Sequence, residues 1–283
     1  MSHPPMLLVN GEPRETLPVS DRGLQYGDGL FETIEIKGRQ PVFFDRHLKR
    51  LEAGCGRLAI PFPAPEILAE EAEILCKHSL AEAVLKIIVT SGSGGRGYRR
   101  PETIQATRIL SLHPYPDYPN SFSTEGINTR ICKNRLGINP ALAGIKHLNR
   151  LEQVLARAEW TDQTIHEGIM LDSVGHVIEG TMTNLFYVKD HAVYTAPLGQ
   201  SGIAGIVRGL IMQLAEQHQL ALYERSYSLE QLLSADEIFV CNSIIGIWPV
   251  KQIDQTVFKP GPITRKIRQW LADYKQETLR SEQ

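Results

Sequence analysis

The chain has 283 residues, of which 42% are hydrophobic and 22% charged, an ordinary balance for a soluble globular protein long enough to bury two cores. Its 30 Lys and Arg against 32 Asp and Glu leave a formal charge of -2, so nothing global points to nucleic acid or a membrane surface as partner. The start, MSHPPMLLVNGEPRE, has no basic leader, and no uninterrupted apolar run reaches about 18 residues, so neither a signal peptide nor a transmembrane helix is expected and a cytoplasmic location is.

Taken in order, MLLVN reads as a strand that turns at Asn10-Gly11. GDGLFETIEIKGRQPVFF alternates in Phe31, Thr33 and Glu35 and turns at Lys37-Gly38, the pattern of a hairpin. Asp45 is expected to cap a helix with the buried stripe Leu48, Leu51, Cys55 and Leu58, ended by the prolines between Pro61 and Pro65. A helix, EILAEEAEILCKHS, and two strands, AVLKIIVTS and ATRILSL, follow. Between those strands GSGGRG matches GxGxxG in form only. Pro101 and the nearness of the next strand leave no room for the crossover helix of a dinucleotide site, so the stretch reads as a flexible loop presenting Arg96 and Tyr98. HPYPDYPNSFS, with its prolines and weak periodicity, is the expected linker, giving an N-terminal α+β domain over 1–112, a linker over 113–123 and a second domain over 124–283.

In the second domain the expected order is a helix from Leu148 to Trp160, strands in EGIMLD, HVIEG, NLFYVKD and AVYTAP, a helix in SGIAGIVRGLIMQLAEQH, a strand in ADEIFVCNS and a terminal helix around ITRKIRQWLADY. Leu148, Leu151, Leu155 and Ala158 are the expected buried stripe of its first helix. Lys146 precedes that stripe. It either lies along the surface with its stem on apolar neighbours, or is held indoors at a helix N-terminus, where dipole and desolvation favour a nucleophilic amine. The glycine turn of AGIVRGL before a helix offers the amides of Ile206 and Val207 to a phosphate. Cys55, Cys76, Cys132 and Cys241 lack disulfide or zinc-site spacing and are expected as reduced, mostly buried thiols, and the scattered histidines suggest no metal site.

VSDRGLQYGDGLFETI, SGSGGRGY, AGIKHLNRLEQVLARAEW, EGTMTNLFYVKD and GIAGIVRGLI together resemble the fold type IV pyridoxal-phosphate enzymes, over nearly the whole chain and in the usual order. SGSGGRGY and LAGIKHLNRLEQV look most like the aminodeoxychorismate lyases of that family, whereas GDGLFET is shared with its D-amino-acid and branched-chain aminotransferases. The resemblance implies an α+β, two-domain architecture like that of D-amino-acid aminotransferase, with a smaller N-terminal α/β sandwich and a larger C-terminal pseudo-barrel. It implies pyridoxal 5'-phosphate as cofactor and a homodimer with sites near the subunit interface.

The same resemblance makes Lys146 the Schiff-base lysine and proton shuttle, and Glu179 the carboxylate on the pyridine nitrogen. It assigns Arg50 and, less directly, Ser243 to the phosphate. Asn149 is left between a cofactor hydroxyl contact and a helix cap, and Thr33 between assisting proton transfer and an ordinary strand residue. Arg96, Tyr98 and Tyr26 would meet the substrate, although Ser91 stands where relatives often carry an arginine. The implied activity is conversion of 4-amino-4-deoxychorismate to 4-aminobenzoate and pyruvate, a step toward folate. The alternatives are an amino-acid aminotransferase of the same fold, a non-catalytic pyridoxal-phosphate store and a dehydrogenase.

Overall fold

The structure is a computed structural model that describes residues 6–77, 79 and 81–281. The chain falls into two compact units. Unit 1 takes the residues up to Pro116, then Ile145–Asn149, then those from Thr278; unit 2 takes Asp117–Gly144 and Arg150–Glu277. The cut at Pro116 lies inside the 113–123 stretch, but the return of residues 145–149 to unit 1 leaves no trace in the sequence pattern.

Unit 1 is built from β1 (Leu7–Val9), β2 (Glu12–Pro13), α1 (Arg22–Tyr26), β3 (Gly29–Lys37), β4 (Gln40–Pro41), α2 (Phe44–Arg57), α3 (Pro65–Cys76), β5 (Glu82–Thr90) and β6 (Thr107–Pro114). Its sheet runs β2-β1-β6-β5-β3-β4, all antiparallel. Strand alternation sends Ile34, Ile36, Leu85, Ile87, Val89, Leu110 and Leu112 to one face, where they are buried together with Leu51, Leu68 and Leu75 of α2 and α3. Phe31, Thr33 and Lys86 share the other face and are only partly covered. Asp45 is not the cap of α2. Phe43, in a left-handed conformation, holds that position without a side-chain hydrogen bond, and Asp45 sits in the first turn. Leu58 leaves the stripe to become the C-cap, and His47 joins it. The helix expected through EILAEEAEILCKHS ends at Cys76, and His78 lies outside the described residues.

Unit 2 contains α4 (Ser121–Thr124), β7 (Ile127–Ile131), α5 (Leu151–Arg157), β8 (Glu167–Leu171), β9 (Val177–Gly180), β10 (Asn184–Lys189), β11 (Ala192–Thr195), α6 (Ile206–Gln217), β12 (Leu222–Glu224), α7 (Leu229–Leu233), β13 (Glu237–Asn242), β14 (Gly246–Ile253), β15 (Thr256–Val257) and α8 (Pro262–Ser281) as far as Glu277. The run β10-β13-β14-β7-β8-β9 closes on itself because β9 also pairs β10, through Asn184 opposite Glu179. This is the pseudo-barrel expected for the larger domain. Ile127, Ile169, Leu171, Leu185, Val240, Trp248 and Val250 fill its core. β8, β9 and all of β10 but its last residue are buried on both faces, with Glu167, Glu179 and Asn184 buried among their apolar residues. β14 was masked in the sequence by Pro249, which nonetheless pairs in register with Phe239.

The Leu148–Trp160 helix is a correction. α5 is only seven residues long, and Leu151 and Leu155 are 74% and 59% exposed. The face that α5 turns inward carries Gln153 and Ala156, with Trp160 buried beyond its end. All four cysteines are free and buried. Among the described residues no helix is long and apolar enough to cross a membrane.

Candidate active site

In unit 1 Lys146 is not at a helix N-terminus, because the residues around it extend a sheet instead. The first residues of β3 bond only to β5 on one side, which leaves an open edge. The segment 146–148 fills that edge: Phe31 N donates to Lys146 O at 3.0 Å, Leu148 N donates to Gly29 O at 2.9 Å, and Leu30 bridges His147 antiparallel. Gly29 permits this approach, since a Cβ there would stand 2.6 Å from Val89 O and 2.8 Å from Leu148 Cδ1. The half-buried Lys146 Nζ lies 4.2 Å from the centre of the Phe31 ring, and Lys86 Nζ lies 5.5 Å from it. Thr33 is half-buried two residues along the same face, directly opposite Lys86 on β5. Lys86 was passed over in the sequence, although period-two alternation places it beside Thr33.

Asn149 is not the cap of α5. Arg150 occupies that position, and the Asn149 amide donates to Gly27 O at 3.1 Å. The side chain thus ties the 145–149 segment to the end of α1.

Beneath β3 lies a charged cluster of which the family motifs mark only Arg50. Glu32 is fully buried on the core face with Ile34 and Ile36. Arg50 grips it with Nε to Oε1 at 2.8 Å and Nη2 to Oε2 at 2.5 Å, and His47 Nδ1 lies 2.6 Å from Oε2. Burial by itself would raise the Glu32 pKa, but the Arg50 charge and the His47 and Arg50 hydrogen bonds outweigh it and hold the carboxyl at about 2. His47 is pushed down, by burial first, against the pull of Glu32 and with help from the charges of Arg50 and Lys146. A signal existed: Glu32 shares strand parity with Ile34, and His47 and Arg50 are one helical turn apart on the buried side of α2.

The glycine loop between β5 and β6 turns outward, and Tyr98 is 90% exposed with Arg96 also exposed. Tyr26, half-buried at the end of α1, has its ring centre 5.5 Å from that of Tyr98. Ser91 is buried and its hydroxyl donates to Asp28 Oδ2 at 2.6 Å, which gives the serine a role of its own in place of an arginine.

In unit 2 Glu179 is buried at the pair that closes the barrel. Its Oε2 accepts from Ile203 N at 2.8 Å and from Asn184 Nδ2 at 3.4 Å. Asn184 Nδ2 also donates to Ile203 O at 2.8 Å, so strand end and turn are stitched around the carboxylate. Burial lowers the pKa of Arg150, and the charge of Glu179 opposes that shift, which marks Arg150 as a second neighbour that the sequence did not flag. α6 starts at Ile206 after Gly205, whose position has no side-chain cap. A Cβ on Gly205 would fall 2.0 Å from Asn184 Oδ1, so the turn requires glycine and leaves the first amides of the helix uncovered by any cap side chain. Ser243 is half-buried in the β13–β14 turn, where Asn242 Oδ1 accepts from the amides of Ile244 at 2.8 Å and Ile245 at 2.9 Å.

Residues 29–253 match the family model described as amino-transferase class IV. The chain is 37% identical over 268 residues to the aminodeoxychorismate lyase of Vibrio harveyi, covering 93% of this chain and 98% of that one. Among solved structures, 4-amino-4-deoxychorismate lyase from Pseudomonas aeruginosa superposes with a TM-score of 0.90 at 45% identity, covering 94% of this chain and 98% of the other. The branched-chain amino acid aminotransferase of Escherichia coli superposes at 0.83 with 28% identity, over 93% and 92%.

Proposed function

Because the chain belongs to the class IV amino-transferase family, we propose that it is a pyridoxal-phosphate-dependent lyase converting 4-amino-4-deoxychorismate to 4-aminobenzoate and pyruvate, a step toward folate. The observation that carries this reading is the 45% identity, over 94% of the chain, to a solved lyase of that name.

The residues fit the cofactor by their chemistry. Lys146 offers an amine to its aldehyde, Glu179 a buried carboxylate to its pyridine nitrogen, and Ile206 and Val207 the amides of an uncapped helix start to its phosphate. Arg50 would add a cation for the phosphate, although Glu32 already engages its guanidinium, and Ser243 a hydroxyl. Asn149, whose amide donates to Gly27 O, would be a further polar contact. When bound, the cofactor supplies an electron sink for the carbon that loses its proton.

Lys146 Nζ takes the proton from the substrate carbon that bears the amine, and returns a proton to the departing enolpyruvate with the Thr33 hydroxyl as relay. Glu179 keeps the pyridine nitrogen protonated, and the Ile203 amide and Asn184 hold its carboxylate in place. Arg96, Tyr98 and Tyr26 orient the substrate carboxylates. Aromatisation of the product drives the elimination.

We infer a homodimer in the cytoplasm, supported by the exposed Leu151, Val154 and Leu155 on α5 and by four free buried thiols.

The decisive experiment supplies purified protein with pyridoxal phosphate and enzymatically generated substrate, without a keto acid. Equal yields of 4-aminobenzoate and pyruvate are expected. If neither forms, and a D- or branched-chain amino acid reacts once a keto acid is added, the chain is an aminotransferase. The 30% identity to a putative branched-chain-amino-acid aminotransferase of Methanocaldococcus jannaschii makes that the second reading.

A further inference from the structure

We propose that Arg22 is the positioning residue that holds the glycine loop in shape, so that Arg96 and Tyr98 are presented ready-made to an anionic substrate group; this rests on the lyase reading above.

Arg22 lies on α1, a five-residue helix, and is almost wholly buried, which is uncommon for an arginine. Its guanidinium points along the loop's backbone. Nη1 donates to Gly97 O at 3.0 Å and Gly94 O at 3.4 Å, Nη2 donates to Tyr98 O at 3.2 Å, and Nε donates to Asp28 Oδ2 at 3.0 Å. One side chain thereby satisfies three carbonyls of a segment that has little regular structure of its own. Gly92, Gly94, Gly95 and Gly97 all have positive φ, so the loop folds back on itself, and Arg96 and Arg99 exchange backbone bonds of 3.1 and 3.2 Å across the tip.

Asp28 anchors the clamp from below. It accepts from Arg22, from Arg100 through Nε at 2.9 Å and Nη2, and from Ser91. Arg100 Nη1 reaches on to Leu58 O at 2.5 Å, which ties the far end of the loop to the end of α2. The Arg22 guanidinium also lies 4.8 Å from the centre of the Tyr26 ring, and that ring adjoins Tyr98. The loop is therefore exposed at its tip and fixed at its root. Such an arrangement lets a flexible glycine segment bind without the ordering cost that a free loop incurs on meeting its ligand.

Lysine cannot reproduce this geometry, because its single ammonium cannot span three carbonyls and a carboxylate in one plane. KM for 4-amino-4-deoxychorismate and kcat are measured for wild type, Arg22→Lys, Arg96→Ala and the double variant, with hydrogen exchange of residues 93–99 followed in each. Arg22→Lys is expected to raise KM about tenfold with kcat within about threefold, as loss of one or two charge-assisted hydrogen bonds implies. Loop amides should exchange faster. In the Arg96→Ala background the lysine should raise KM much less than it does in wild type, the remainder acting through Tyr98. A general structural defect would multiply the two effects and lower kcat, which would overturn the proposal, as would an unchanged KM in either single variant. If Arg22→Lys does not fold, Asp28→Asn loosens the same anchor and is judged by the same comparison. Should the wild type make no 4-aminobenzoate, the lyase reading falls. Loop exchange then decides the clamp alone, and protection in Arg22→Lys equal to wild type would overturn it.

Discussion

At the scale of single residues, chemistry and packing give separable predictions. Replacing Lys146 with alanine should abolish product and the covalent retention of cofactor, read by intact mass after borohydride reduction. Retained turnover would remove Lys146 from the mechanism. The Glu32 cluster predicts acid lability. The carboxyl of Glu32 titrates near 2 in the fold against 4.5 unfolded, so its contribution is complete above about pH 4.5 and is lost as pH falls toward 2. His47 is depressed below 6.5, so the unfolded chain binds its proton first, and the fold also loses stability as pH drops below about 6.5. Glu32→Gln should flatten the limb below about pH 4.5 and cost about 3 kcal/mol at pH 7, because it leaves Arg50 without its charged partner. Melting curves from pH 3 to pH 8 check both; an unchanged acid limb would show that Glu32 does not carry it. The roles proposed for Lys146, Glu179, Thr33 and Arg96 come from family motifs in the sequence. Those of Glu32, His47, Arg22 and Lys86 were not legible there, because their partners come from other elements and a motif records only its own neighbours.

At the scale of elements, two glycines of unit 1 make a matched pair. Gly29→Ala would push a Cβ into Val89 O and the Leu148 side chain, dislodging the 146–148 segment from the β3 edge. A loss of about 1–3 kcal/mol is expected, with a fall in turnover larger than the stability loss explains. Gly56, exposed near the end of α2, meets nothing within 4 Å, so Gly56→Ala should stabilise by about 0.5–1 kcal/mol and leave activity alone. Equal behaviour of the two in melting and kinetic assays would refute the close-approach account. α5 shows why a periodic pattern misleads. Leu148, Leu151 and Leu155 fit a buried stripe, yet Leu148 belongs to an extended segment and the helix turns Gln153 and Ala156 inward. Periodicity reports which residues share a side, and tertiary contacts decide whether that side is the inner one. Leu155→Glu should therefore leave the protomer's melting temperature nearly unchanged while shifting the dimer inferred here toward monomer in light scattering.

At the scale of the whole molecule, the return of Ile145–Asn149 to unit 1 has a direct consequence. A fragment ending at Pro116 would keep every strand of the first sheet yet leave the Gly29–Phe31 edge bare. Expressed alone, it should associate or unfold well below the melting temperature of the intact chain; a monomeric fragment with an undiminished transition would contradict this. Local patterning in the sequence determined most of the strands and the glycine turns, and the family motifs determined the two-unit architecture, the cofactor and which residues are proposed to handle it. These signals are short-range, since alternation, turn chemistry and motif spacing are written within a few residues of one another. Only the tertiary structure decided that β9 meets β10 at Glu179 and closes the barrel, that Lys146 rides a sheet edge and not a helix end, and that Arg22 and Glu32 are buried among charges. The reason is physical: each of those outcomes depends on which distant segment satisfies an open backbone edge or an unpaired charge, and that choice is made by the folded chain as a whole.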